Sequence, residues 1–151
     1  MPKKAPSNAG WLDQSPTHLG HRVAQCATDI FDAQAKDHDL TPRQVAVLTT
    51  VAHNEGLSQT GIVVRTGIDR STLAELVARL KKKGLLNRRR REKDARTYAV
   101  KLTSAGHRVL RTIEPLAKRV DEQILAALPP NDRPLFIATL QSIVATLQPR
   151  E

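Results

Sequence analysis

The stretch GIDRSTLAELVARLKKKGLLNRRRREKDARTYAVKLTSAG, residues 67–106, decides the fold. Gly67 provides a left-handed residue that ends a short helix begun at Ser58, and Asp69 can cap the helix that follows. Gly84 closes this second helix after three lysines. Two short helices joined by a tight glycine-containing turn predict a helix-turn-helix.

The second of these helices has two chemically different sides. Its apolar residues recur at helical spacing and form a stripe for burial, which consists of Leu73, Leu76, Val77 and Leu80. The residues that point the other way are Ser71, Ala74, Glu75, Ala78 and Lys82. A plain surface helix would also carry polar residues there, but small side chains allow close approach to a DNA groove. Arg70, Ser71 and Thr72 at the N-terminal end are candidates for base and phosphate contacts.

Residues 85–91 and 97–102 predict two short strands, with residues 92–96 as the hairpin turn. Alternate side chains of a strand face opposite sides, so only two of the four arginines at 88–91 share a face. We expect Arg88 and Arg90 to follow phosphates, and the other pair to face the domain or the solvent.

Positive charge is concentrated in residues 79–101, which hold eleven Lys or Arg and two acidic residues, a local charge of +9. The rest of the chain has 13 basic residues (24 less 11) and 13 acidic residues (15 less 2), so it is neutral. A localised basic block predicts a polyanion partner: nucleic acid first, an anionic membrane or phosphorylated ligand second.

Further helices flank this region. A first helix is predicted from Ser15 to about Asp37, a second from Thr41-Pro42, a long one from Thr103 to Leu128 that Pro115 kinks, and a last one from about Asn131. The first and the last two are apolar on a broad side that the small helix-turn-helix core cannot cover. A second copy of the chain would cover them and supply two recognition units for a palindromic site.

The predicted fold class is therefore mainly α with a small β-hairpin wing, a winged helix-turn-helix with N- and C-terminal dimerisation helices. Residues 1–14 are predicted as a mobile arm, 15–39 and 104–151 as dimerisation helices, and 40–103 as the DNA-binding domain.

Several functional classes are not supported by the sequence. There is no run of 18 apolar residues and no signal peptide, and Cys26 is the only cysteine, so we expect a cytoplasmic protein without disulfides and without a membrane partner. The five histidines lack companion ligands at convincing spacing, which predicts no metal. No Gly-rich phosphate loop, G-x-S-x-G or H-E-x-x-H motif is found, so we expect neither enzymatic activity nor a cofactor.

Residues 40–110 resemble the MarR family of winged-helix repressors. The resemblance rests on LTPRQVAVL at 40–48, on KKGLLNRRRREKDARTYAVKLTSAGHRVL at 82–110, and above all on Asp94-Ala95-Arg96, which matches the family's D-x-R at the wing tip. It implies an elongated dimer with a recognition helix in each major groove and wing arginines in the flanking minor grooves.

Asp94 would hold the Arg96 guanidinium in one orientation; a structural salt bridge in the turn is the alternative.

One position departs from the family pattern. Many members have an arginine in the middle of the recognition helix where this chain has Glu75. A glutamate there either accepts a hydrogen bond from a cytosine amino group or repels phosphates and biases the register. Some relatives use an N-terminal cysteine as a peroxide sensor, but Cys26 lies on the apolar stripe of the first helix, which predicts a buried packing residue.

The resemblance also implies a small-molecule pocket near the dimer interface. His21 and Arg22 are the candidate residues to contact an anionic ligand there. The stretch at 67–86 is similar to regulators of aromatic-acid catabolism that respond to acyl-coenzyme A thioesters; a small aromatic carboxylate is the simpler alternative. The resulting prediction is a ligand-responsive repressor that binds a palindromic operator as a homodimer. The competing prediction is an architectural protein that binds nucleic acid without sequence preference.

Overall fold

The computed structural model describes residues 9–91 and 94–148, without the side chains of residues 90, 91 and 94–97. Over these residues the chain forms six α-helices and one β-hairpin, which confirms the predicted fold class. The elements are α1 Pro16–Gln34, α2 Pro42–Ala52, α3 Gln59–Thr66, α4 Arg70–Lys82, β1 Leu86–Arg91, β2 Asp94–Leu102, α5 Ser104–Ala126 and α6 Arg133–Leu147. Two short 3-10 turns, Gly10–Gln14 and Pro130–Asp132, precede α1 and α6.

Side-chain caps fix where five of the helices begin. The cap oxygens accept from the backbone N–H three residues later: Ser15 from His18 at 3.2 Å, Thr41 from Gln44 at 3.2 Å, Ser58 from Gly61 at 3.1 Å, Asp69 from Thr72 at 2.8 Å, and Thr103 from Gly106 at 3.0 Å. Each cap satisfies an N–H group that has no partner within its helix. The helix starts predicted from these residue types are confirmed.

Several predicted boundaries shift. Helix α1 ends at Gln34 instead of Asp37, because the N–H of Ala35 makes the last helical bond and the chain then turns. The C-terminal helix begins at Arg133 instead of Asn131, after a 3-10 turn that follows two prolines. Pro115 lies inside a continuous α5, as the apolar periodicity predicted.

The predicted arm at 1–14 and the predicted hairpin turn at 92–96 are also revised. Residues 10–14 form a 3-10 turn against α1, while residues 1–8 lie outside the described part of the chain. Strand β2 begins at Asp94, so the strand is longer than the predicted 97–102, and residues 92 and 93 lie outside the description. Pairing with the arginine-rich β1 extends the ladder because backbone hydrogen bonds do not depend on side-chain polarity.

The core lies where α2, α3, α4, α5 and the base of the hairpin meet. Its side chains without exposed surface include Val47, Leu48, Ile62, Leu73, Leu80 and Ile113. The predicted stripe of the second short helix is confirmed, since Leu73, Val77 and Leu80 are buried and Leu76 is half-buried against the core. This packing turns the polar side of α4 outward.

The hairpin is antiparallel and pairs Leu86 with Leu102, Arg88 with Val100, and Arg90 with Tyr98. Leu86 and Val100 are buried, so the base of the hairpin belongs to the core while its outer part extends beyond the core. The N–H of Thr103 donates to the carbonyl of Leu85 at 3.1 Å, which holds the hairpin base against the start of α5.

The outer helices leave apolar surface uncovered in a single chain. No residue of α6 is buried, and it packs closely only on the 3-10 turn before it, within the described residues. Exposed apolar residues of the outer helices are Leu19, Val23, Leu135, Ile137, Leu140, Ile143, Val144 and Leu147. Large apolar side chains exposed repeatedly along these helices mark an interaction surface.

The prediction that Cys26 is buried is wrong for the single chain, where its side chain is exposed. Only the C-terminal half of α1 reaches the core, through Ala27, Ile30 and Phe31. Cys26 lies one residue before the first of these contacts, at the end of an exposed stretch that includes Val23. None of the described helices is both long and apolar enough to cross a bilayer.

Gly106 tests the packing between α5 and the hairpin. It is buried in the first turn of α5, and a Cβ there would lie 2.2 Å from the carbonyl oxygen of Leu85. We expect Gly106→Ala to lower the free energy of unfolding by about 1–3 kcal/mol, since backbone must move to admit the methyl group. Denaturant titration with Ser104→Ala, an exposed position two residues earlier, provides the measurement and control. Equal stability of the two variants would contradict this packing.

Candidate nucleic-acid interface

The outward side of α4 is a shallow, exposed surface. Ser71, Ala74, Glu75, Ala78 and Lys82 are all exposed, as the helical spacing predicted. In the middle of this surface the side chains of the two alanines are short, so another molecule can approach the helix backbone closely. Arg70 is exposed at the N-terminal end of the same helix.

The N-terminal turn of α4 is organised around Asp69. One carboxylate oxygen accepts from the Thr72 N–H at 2.8 Å and from the Ser71 hydroxyl at 2.8 Å. The hydrogen bonds from Thr72, first its backbone N–H and then its hydroxyl, and the bond from Ser71 lower the pKa of Asp69 to about 2. Thr72 is half-buried and its N–H is already bonded in the cap. Arg70 and Ser71 are exposed and are therefore the more accessible of the three predicted DNA contacts.

Glu75 has a cationic neighbour on the same surface. Its Oε1 lies 3.9 Å from Nη2 of Arg79, one helical turn later, and both side chains are more than two-thirds exposed. An exposed pair of this kind contributes little to stability. It shows, however, that Arg79 lies beside the outward side of α4. Sequence reasoning omitted Arg79, although the i, i+4 spacing from Glu75 is the signal that could have found it.

The wing presents one predicted DNA contact, Arg88, beside Arg89, which was not predicted as one. Arg88 and Arg89 are exposed, and Nη2 of Arg88 donates to Oε1 of Gln59 at 2.5 Å. Gln59 begins α3 and was not among the predicted site residues. Arg90, Asp94 and Arg96 lie on the two strands, but their side chains are outside the described residues. Their roles stay predictions.

Lys83 connects the end of the recognition helix to the loop before α2. Its Nζ lies 3.2 Å from Oδ2 of Asp39 and also donates to the main-chain oxygen of the same residue. Lys83 is thus partly occupied within the protein, while Lys81 and Lys82 beside it are exposed. Among the described residues, the basic block therefore contains both exposed cations and a cation with a partner inside the protein.

The predicted ligand residues His21 and Arg22 are both exposed on α1. Neither lines the cavity of about 210 Å³ at the base of the wing, between α2, β2 and the first turn of α5. Its lining residues are Val51, Ala52, Glu55, Val100, Lys101, Leu102 and His107. No group of three or more metal-ligating side chains occurs in the described residues.

Comparison with known proteins agrees with this architecture. Residues 38–97 match the sequence profile of the MarR family. The transcriptional regulator HosA of Escherichia coli O157:H7 is 32% identical over 108 residues, which cover 72% of this chain and 80% of HosA.

Solved structures show the same fold. The structure of BpsR from Bordetella bronchiseptica, whose DNA binding is regulated by 6-hydroxynicotinic acid, has a TM-score of 0.81 and 26% identity, covering 92% of this chain and 97% of BpsR. The transcriptional repressor CouR bound to a 23-mer DNA duplex has a TM-score of 0.81 and 26% identity, covering 93% and 99%. CouR from Rhodococcus jostii RHA1 bound to p-coumaroyl-CoA has a TM-score of 0.75 and 25% identity, covering 91% and 95%. The chain therefore belongs to the MarR family of transcriptional regulators.

Proposed function

We propose that this regulator is a ligand-responsive repressor that acts in the cytoplasm and binds a palindromic operator as a homodimer. The observation that carries the proposal is that α4, whose outward side is exposed, packs against the arginine-rich strand β1 of the wing. A helix surface with small side chains can enter the major groove. The arginines of a hairpin beside it can contact the flanking phosphates and the minor groove.

The proposed DNA contacts divide between these two elements. On α4 they are Arg70, Ser71, Thr72, Glu75 and Lys82. We include Arg79 because it pairs with Glu75. On the wing they are Arg88, Arg90, Asp94 and Arg96. The complex of CouR with a DNA duplex supports a DNA-binding role for a protein of this fold.

The uncovered apolar residues of α1 and α6 support the homodimer. Helix α6 has no buried residue and so gains little stability from its own chain. Packing against a second copy of the chain would bury the apolar residues of both α1 and α6. Two copies related by a two-fold axis present two α4 helices, which favours an operator whose half-sites repeat with the same symmetry.

We propose a small anionic effector, either an aromatic acid or its CoA thioester, that reaches His21 and Arg22 near the dimer interface. Both classes have precedent among similar structures, since BpsR responds to 6-hydroxynicotinic acid and CouR binds p-coumaroyl-CoA. An anion bound at His21 and Arg22 would lower the overall positive charge that attracts DNA and so weaken binding.

The alternative function is architectural binding without sequence preference, which the +9 charge of residues 79–101 alone would support. Selection of duplexes from a random pool, followed by competition against random DNA, separates the two. We expect the selected duplex to be preferred by roughly 10³-fold or more at physiological salt. Equal affinity for selected and random duplexes would favour the architectural function.

Within the same assay, Ala74→Leu tests the small side chains on the exposed side of α4. The larger side chain should lower affinity for the selected duplex by about ten-fold or more, because it prevents close approach of the helix to the bases. Binding to random DNA should change little. Ala46→Leu, the same change at an exposed position of α2, is the control.

Isothermal titration calorimetry at matched ionic strength tests the effector class. We expect heat of binding with an aromatic acid or with its CoA thioester, and loss of that heat in Arg22→Leu. Absence of heat with thioesters would exclude that class, and absence with both would contradict the anionic effector. Arg43→Leu, an exposed arginine on α2, controls for the loss of one charge.

A further inference from the structure

The wing is tied to the start of α3 by both members of one cross-strand pair. Arg88 and Val100 face each other in the register of the hairpin. The N–H of Val100 donates to the carbonyl of Leu57 at 2.9 Å, and the guanidinium of Arg88 donates to the side chain of Gln59. The two acceptors are only two residues apart, on either side of the cap residue Ser58.

These two bonds restrain different motions. The backbone bond from Val100 fixes the position of the hairpin, because Val100 is buried and its strand cannot shift without opening the core. The outer part of the hairpin extends beyond the core, so burial of the base and this bond still let it bend about Val100. The second bond, made by a side chain from the other strand, restrains this bending and so sets the angle between the wing and α3.

We propose that Gln59 and Arg88 are positioning residues that set the spacing between the recognition helix and the wing, and thereby contribute to operator specificity. This inference rests on the proposed function, because spacing matters only if both elements contact one duplex. Helix α3 packs on α4, so the angle of the wing relative to α3 is also its angle relative to α4.

The length of the wing makes a small rotation important. Six residues separate Val100 from Asp94, so the outer end of β2 is about 20 Å from the tie at a rise of about 3.3 Å per residue. A rotation of about 10° at the tie would move that end by about 3 Å, comparable with one base-pair step of DNA. A wing free to rotate would meet the minor groove in several registers.

The chemistry of the pair suits this role better than a free phosphate contact. An arginine has several N–H donors and no acceptor, so Arg88 can donate to Gln59 and still present other donors. The neutral amide oxygen of Gln59 orients the guanidinium without cancelling its charge. The neighbouring Arg89 points to the opposite side of the strand, away from Gln59, and it serves as a matched control.

The test compares Gln59→Leu, Arg88→Leu and Arg89→Leu in affinity for the duplex selected by the wild-type chain. Gln59→Leu removes no charge, yet we expect it to weaken binding by about five-fold, the effect of losing an exposed hydrogen bond to a charged group. The salt dependence should stay that of the wild type. Gln59→Glu retains an acceptor oxygen, so it should keep the restraint on the wing, but its negative charge should itself lower affinity for the duplex.

A double-mutant cycle distinguishes positioning from independent contact. Added to Arg88→Leu, the Gln59→Leu change should cause no further loss, whereas added to Arg89→Leu it should cause the full loss. Equal affinity of Gln59→Leu and wild type, or additivity with Arg88→Leu, would overturn the proposal and leave Arg88 as a simple phosphate contact.

Amide hydrogen exchange on the DNA-free protein provides a readout that does not depend on the proposed function. Gln59→Leu should speed amide exchange in the hairpin several-fold without changing the thermal unfolding midpoint. Arg89→Leu should leave the exchange rate of the hairpin unchanged. Unchanged exchange in Gln59→Leu would contradict the restraint. If the wild-type chain selects no duplex, the proposed function fails, and hydrogen exchange alone decides whether the pair restrains the wing.

Discussion

The packing of the apolar side of α4 into the core is the contact on which the rest of the structure depends. Leu73, Val77 and Leu80 are buried among α2, α3 and the hairpin base, so the helix cannot rotate without exposing them. Burial of these three side chains stabilises the fold by several kcal/mol, roughly 1.5–3 each. This outweighs any difference in solvation of the polar residues on the opposite side of the helix. The exposed surface of α4 is therefore a consequence of the core.

Charge and core are separated in this protein. The basic block begins on the last turns of α4 and continues along the hairpin, where the described arginines are exposed and keep their hydration. Where a cation of this block has an internal partner, that partner is a surface group, as with Lys83 and Asp39 or Arg88 and Gln59. A counterion such as a phosphate can therefore approach the block without a large cost of burying unpaired charge.

Local features of the fold could be predicted from the sequence, while features that depend on distant contacts could not. Caps such as Ser58 and Asp69 act within one helical turn, and the α4 stripe follows from spacing alone. The bond between Gln59 and Arg88 joins residues 29 apart, and only the register of the hairpin brings them together. Cys26 was predicted as buried because its apolar stripe is real, but the core of one chain ends before reaching it.

The outer helices make the protein's own second copy the decisive partner. Sedimentation velocity at micromolar concentration, with and without the selected duplex, measures whether two chains associate and whether both occupy one duplex. We expect a dimer that binds one duplex as a dimer, and a monomer when Leu140, exposed on α6, is replaced by glutamate. A monomeric wild-type chain that binds its duplex as a single copy would contradict this expectation.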